Sequence, residues 1–379
     1  MNNKTFSLLE TVAILLVVVG HTGPDRLAFV DRFFSLPSYW MVLFVFISGY
    51  FFRPMQWAAF PSFLWRKTKR LLLPLLGWNL VYAVLAWVLH GRAVTVYFEQ
   101  MSAVFSLHNL LVSPLFLLNH QYLLNLAMWF VSSLFFTQLL YALLHCMGGR
   151  RSSNLLLLML FSVVGMLSLA LYPHTAGHTH FTDWLMKFPY FLPFFHLGYA
   201  WRQEWEARDK IPLWAWFLGL AAPQTLLYFT GNVHYYIIVW SDYQGDVWQP
   251  FLCGFIGIFF WLKLCTLLAR IPWESRFVRF AGANTWAVMC HHLLVIFLVN
   301  WVVVHISCPG ADMQAFRTDF WYRASCVPRW LYVALGFLLP LLWQYVFNAA
   351  KQWAAAPFSM LKSRWNRMFI THSKPDDAL

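Results

Sequence analysis

The chain has 379 residues, of which 60% are hydrophobic, 20% aromatic and 11% charged, against about 25% charged in soluble domains. With a mean hydropathy of +0.56, this excludes a disordered chain, a coiled coil and a disulfide-rich secreted module; it predicts an all-α, polytopic membrane helix bundle with room for about ten spans. The net charge of +12 does not indicate a nucleic-acid partner, because the basic residues fall in short clusters between long apolar runs. No Walker A loop, GxGxxG or HExxH occurs, so ATP hydrolysis, nicotinamide chemistry and zincin chemistry have no support.

In chain order, apolar segments run at about 7–20, 39–55, 71–90, 127–147, 154–172, 188–201, 212–230, 249–269, 281–304 and 328–348. The first lacks a small-residue cleavage site and reads as a retained helix. With the N-terminus in the cytoplasm, nineteen of the 27 Lys and Arg lie in inside loops. Seven lie outside, namely Arg26, Arg32, Arg92, Lys187, Arg317, Arg323 and Arg329, and Lys263 falls within a span. This asymmetry predicts about ten helices, N-in and C-in. One integral membrane domain covers 1–350. The tail over 351–379 sets Trp353, Phe358, Trp365 and Phe369 between basic residues and predicts an amphipathic helix on the cytoplasmic leaflet, with a disordered end. Cys146, Cys253, Cys265 and Cys290 fall in or at the ends of spans, as small buried hydrophobes do. Cys308 and Cys326 share the last outside loop and are expected to form a disulfide in an oxidising compartment.

Ionisable groups at membrane depth are costly, which makes each a functional candidate. Glu10 and His21 are eleven residues apart in the first span, so they share one helix face about 16 Å apart along the axis. Either they form a functional stripe, or Glu10 complements the helix dipole and His21 snorkels toward headgroups. In the ninth span Asn284 shares a face with His291 and Thr285 with His292, while the two histidines diverge by about 100°. No Asp, Glu or Cys pattern completes a metal site with them. The basic run of Arg66, Lys67, Lys69 and Arg70 precedes the third span; it is either a topological anchor or a dock for the phosphates of a cytoplasmic donor. Asp183 with His174, His178 and His180 forms a loose cluster, either a weak metal site or a solvated loop.

Several segments together resemble the acyltransferase 3 family of integral membrane acyltransferases, especially the branch similar to fucose 4-O-acetylases. The run Ala13-Ile14-Leu15-Leu16-Val17-Val18-Val19-Gly20-His21 is similar to the family's first helix, and Phe44-Val45-Phe46-Ile47-Ser48-Gly49-Tyr50-Phe51 to its second. Lys67 to Pro74, Met128-Trp129-Phe130-Val131, Tyr190 to Tyr199, and Gly282-Ala283-Asn284-Thr285 followed by His292 resemble later family segments in the right order. One position departs: where the family has a basic residue, ten residues and then the histidine, this chain has Glu10 in place of the basic residue.

The resemblance implies transfer of an acyl group, acetyl from acetyl-CoA, to a hydroxyl of a cell-surface polysaccharide, lipopolysaccharide or glycolipid precursor. It implies catalytic roles for His21, Glu10 and Ser48, and a donor-binding role for Arg66, Lys67, Lys69 and Arg70. Trp129, Asn284, His291 and His292 become substrate or structural candidates. No bound cofactor or metal is implied. The expected partners are the bilayer, an acyl-CoA donor, a glycan or glycolipid acceptor and polysaccharide-biosynthesis proteins, in the bacterial cytoplasmic (inner) membrane. A transporter or flippase exporting an acylated or glycan intermediate is the alternative; against it stands the absence of repeat halves.

Overall fold

The computed structural model describes residues 4–22, 39–89, 105–116, 122–148, 153–172, 179–272 and 276–370, apart from 235, 237, 239, 240 and 320. Among these the regular structure is helical throughout. The principal helices are α1 (Lys4–Gly20), α2 (Trp40–Tyr50), α3 (Trp57–Leu89), α4 (Leu123–Met147), α5 (Asn154–Leu171), α6 (His180–Ala200), α7 (Leu213–Phe229), α8 (Gln249–Ala269), α9 (Arg276–Ala283), α10 (Thr285–His305), α11 (Met313–Thr318) and α12 (Arg329–Ile370).

Six of them, α3, α4, α5, α8, α10 and the 329–353 part of α12, are long and apolar enough to cross a membrane. The other four expected spans are also helical. α1 and α7 have 17 residues and α2 only 11. α6 is longer than the sequence indicates, starting at His180 instead of near 188, and so carries Asp183 and Lys187 inside the helix. Lys187, expected in an outside loop, is fully buried. Charge hid the first two turns of this helix, whose start is fixed by a capping box between Thr179 and Thr182. α12 continues through position 350 without a break, whereas the sequence placed a boundary there. The tail end 371–379, His174, His178 and the side chain of His180 lie outside the described residues.

α1 runs through the middle of the bundle, packed on α2, α8, α9, α10 and α12. α5 stands at the margin: 11% of its apolar window is buried, against 72% for α4, and a lipid-facing helix keeps its leucines outward because lipid is as apolar as they are. α1 and α2 are antiparallel. At one end Phe6 stacks on Tyr50 at 3.7 Å; at the other Gly20 makes room for the Trp40 ring. α2 crosses α6 at backbone distance, because Gly49 and Gly198 face each other's helices: a Cβ on Gly49 would lie 1.9 Å from the Phe195 carbonyl oxygen, and one on Gly198 2.0 Å from that of Phe46.

Two prolines reshape helices near the candidate residues. Pro74 has no N–H to donate, so one residue earlier the ladder slips to a five-residue step, Leu73 N–H bonding the Thr68 carbonyl, and residues 68–72 form a π turn. The same slip precedes Pro114, where Ser113 N–H bonds the His108 carbonyl.

The α2–α6 crossing gives a direct test. Gly198→Ala must push backbone atoms apart and is expected to destabilise by about 1–3 kcal/mol, seen as a lower melting temperature of the purified protein by size-exclusion fluorescence. Gly219→Ala, with nothing within 4 Å of its new Cβ, is the matched control and should be neutral or stabilising, since alanine is the better helix former.

Candidate active site

The candidate residues separate into two groups at opposite ends of α1. Phe6 and His21 are fifteen residues apart, which places the groups about 22 Å from each other along the axis.

His21 occupies the turn that ends α1. Its Nδ1 is 2.7 Å from the Val17 carbonyl oxygen one turn back. A carbonyl only accepts, so Nδ1 carries the proton and Nε2 presents its lone pair. The imidazole lies between two tryptophans, Trp40 and Trp321, each stacked with ring centroids 5.9 Å away and interplanar angles of 15° and 21°. His292 approaches edge-on at 4.9 Å. Two guanidinium groups cap the helix end. Arg323 donates to the carbonyl oxygens of His21 and Tyr322, and Arg329 donates to that of Thr22 at 3.3 Å. Cations suit a helix C-terminus both as donors to its open carbonyls and as charges against its dipole. The segment bearing Trp321 and Arg323 is itself tied down: Asn300 donates to the Tyr322 carbonyl at 2.9 Å, and Ala324 N–H donates to the Tyr332 hydroxyl at 3.0 Å.

The divergence of the paired histidines places them in different surroundings. His292 is fully buried and faces His21. His291 turns to α3, where its Nδ1 lies 3.1 Å from the Tyr82 hydroxyl and its ring 4.3 Å from Trp78. Trp129 is buried beneath Lys187, whose Nζ is 5.9 Å from the ring centroid and donates to the Ser241 hydroxyl at 2.6 Å.

At the other end, Glu10 lies beneath α9. A Cβ on Gly282 would come 3.3 Å from its Oε2, so glycine there lets α9 settle on the carboxylate. Arg70 is the charged group acting on Glu10. Asn284 closes the α9–α10 junction by donating to the Phe280 carbonyl at 2.7 Å. Arg66 and Lys67 line a cavity of about 520 Å³ together with Ser48, Arg53 and Gln138. Lys67 also stands over Phe63 and Lys69 over Trp65. Among the described residues no carboxylate is ion-paired with Arg66, Lys67, Lys69 or Arg70. Ser48 therefore belongs with the cations and stands apart from His21.

Cys308 and Cys326 are side by side as free thiols instead of the expected disulfide; the bond between them pushes the Cys308 thiol above its ordinary range. Sequence reasoning missed Trp40, Trp321, Arg323 and Arg329 as neighbours of His21. The two arginines were visible only as loop cations, and no periodicity connects a loop to a helix end 300 residues away.

An all-helical membrane protein with a half-buried imidazole held at one end of its central helix and a cluster of cations lining a cavity toward the other has the parts of a group-transfer enzyme. Residues 3–349 match the model of the acyltransferase 3 family, described as an acyltransferase domain, and the chain belongs to that family. No curated protein and no solved structure matches it.

The Glu10–Arg70 proximity predicts the outcome of a charge reversal. Glu10→Arg sets two like charges together in a poorly solvated setting. It should cut acyl transfer at least tenfold, about 1.4 kcal/mol in barrier, in protein that inserts normally, whereas Glu10→Gln should lose much less; initial rates of the two purified variants decide it.

Proposed function

We propose that this membrane acyltransferase takes acetyl from acetyl-CoA and transfers it to a hydroxyl of a cell-surface polysaccharide, lipopolysaccharide or glycolipid precursor, in the bacterial inner membrane. The observation that carries the proposal is an imidazole whose Nδ1 is held by the Val17 carbonyl at one end of α1, with the Arg66, Lys67, Lys69 and Arg70 cluster toward the other. The cluster receives the phosphates of the donor, with Ser48 as a hydrogen-bond donor in the same cavity. The flexible pantetheine arm carries the thioester along α1 toward His21.

There the acceptor oxygen attacks the thioester carbonyl carbon while His21 Nε2 takes its proton. A C–O bond forms, the C–S bond breaks, and the thiolate recovers the proton as free CoA. Base catalysis of this kind contributes about 10²- to 10⁴-fold. The Val17 carbonyl bound to Nδ1–H fixes the tautomer and favours the imidazolium once formed. Glycans and glycolipids supply hydroxyls at a membrane surface, and the partly exposed Trp321 beside His21 suits the apolar face of a sugar ring.

Purified protein incubated with labelled acetyl-CoA and a glycan extract should yield labelled glycan and CoA thiol; thiol-free incubation with the glycan merely bound would favour an exporter. His21→Ala should retain less than a tenth of the wild-type rate at normal abundance, and a greater residue of activity removes the base assignment. Neutralising Lys67, Lys69 and Arg70 together should weaken acetyl-CoA binding by calorimetry, each lost contact costing about 1.5–3 kcal/mol, with little change toward the acceptor. Unchanged donor affinity would leave the cluster as a topological anchor.

A further inference from the structure

The His292 ring does not behave like a satisfied core histidine. Its side chain is fully buried, and its Nδ1 faces its own helix, 2.8 Å from the Val288 carbonyl oxygen and 3.1 Å from that of Met289. Carbonyls accept only, so Nδ1 bears the proton and Nε2 is a lone-pair acceptor. Among the described residues that buried nitrogen has no hydrogen-bond partner, a state that folded proteins avoid. The His292 and His21 rings meet edge to face with centroids 4.9 Å apart, and His21 is held by its own backbone in the same tautomer. Two neutral imidazoles so arranged present two acceptors and no proton to share. They can bond only when one of them gains a second proton.

We propose that His292 is a positioning residue that acts through His21, its Nε2 accepting a hydrogen bond from the imidazolium that His21 becomes during transfer. This rests on the assignment of His21 as the base. When His21 Nε2 takes the hydroxyl proton, the resulting N–H donates to His292 Nε2, a buried acceptor with no other hydrogen-bond partner among the described residues. When the proton passes to the departing thiolate, the bond is released and both histidines return to their starting tautomers, so no proton is gained or lost. An interaction that exists only in the charged stage of the reaction lowers the barrier without tightening ground-state binding.

The surrounding groups favour this assignment. The ionisable groups acting on His292 are His21 and His291. His291 is turned to Tyr82 and Trp78, and the nearby arginines, Arg323 and Arg329, direct hydrogen bonds to the carbonyls that close α1. α12 supports the pair from behind: a Cβ on Gly336 would lie 3.1 Å from Val18 Cγ1 and 3.9 Å from the His292 Cβ, so the helix rests against both elements and holds them together.

The test compares purified His292→Phe, His292→Gln and His292→Asn with the wild type, using acetyl-CoA and glycan extract and following thiol release. Phenylalanine fills the space without an acceptor and should lower kcat about 10- to 100-fold, up to the lower end of general base effects, while the KM for acetyl-CoA stays within about twofold. Glutamine sets an amide oxygen near the place of Nε2 and should restore most of kcat; asparagine, reaching only as far as Nδ1, should not. His292→Phe turning over within about threefold of wild type, or Gln and Asn equally impaired, would overturn the proposal in favour of packing. A donor-independent arm separates this from failure of the acetyl-CoA reading: in ¹⁵N-histidine-labelled protein acidified from about pH 8 to about pH 5, the His292 Nε2 resonance should move upfield in the wild type and not in His21→Ala. An identical response in both also overturns it.

Discussion

A charged or polar side chain in a hydrocarbon-facing bundle must find its partner within the protein, and most of the interior organisation follows from that constraint. Lys263 in α8 shows how completely the demand is met. It pairs with Asp209 and is sandwiched between Trp201 at 4.7 Å and Trp216 at 4.3 Å. Burial alone would raise the Asp209 carboxyl, but the hydrogen bonds from Lys263 and Trp216 outweigh it and hold the group below the usual carboxylate range. Lys187 is met by Ser241, and His196 by the Tyr141 hydroxyl on one nitrogen and the Asn154 carbonyl on the other. Among the described residues His292 Nε2 is one of the buried polar atoms left without a hydrogen bond, and the cations around Arg66 have no carboxylate paired with them.

The second organising feature is the length of α1. Because α1 and α2 are antiparallel and joined by aromatic contacts at both ends, His21 and the cationic cavity are fixed at separate levels of the bundle. The Gly49–Gly198 crossing locks α2 to α6 and so sets the wall of that cavity, which Phe195 and Ser48 both line. In the proposed reaction, docking of the donor and attack on its thioester therefore occur at different depths, and the sugar never needs to approach the phosphates. Group transfer across this distance relies on a long, flexible donor arm.

Much of the helical framework was legible because apolar runs of about 20 residues leave few alternatives. The divergence of His291 and His292 also followed from helical geometry alone, and the structure places them against different elements. What sequence could not show lies where periodicity gives no information. The grouping of Trp321 and Arg323 with His21 depends on how the 306–328 connection folds back. The start of α6 was hidden by Asp183 and Lys187, whose charges end an apolar window although a capping box begins the helix upstream. Ser48 is grouped with His21 as a catalytic candidate because both lie in segments that resemble the family, yet the antiparallel packing of α1 on α2 puts them at opposite ends.

The central claim is that donor and acceptor enter from opposite ends of α1. Its most direct test is transfer by the wild-type protein in sealed proteoliposomes of uniform orientation, with acetyl-CoA supplied on one face only and the glycan acceptor on the other. Labelled glycan should form when acetyl-CoA is on the face bearing Arg66, Lys67, Lys69 and Arg70 and the glycan is on the His21 face, and not with the two exchanged. Equal product in both arrangements, or product only in the exchanged one, would contradict it.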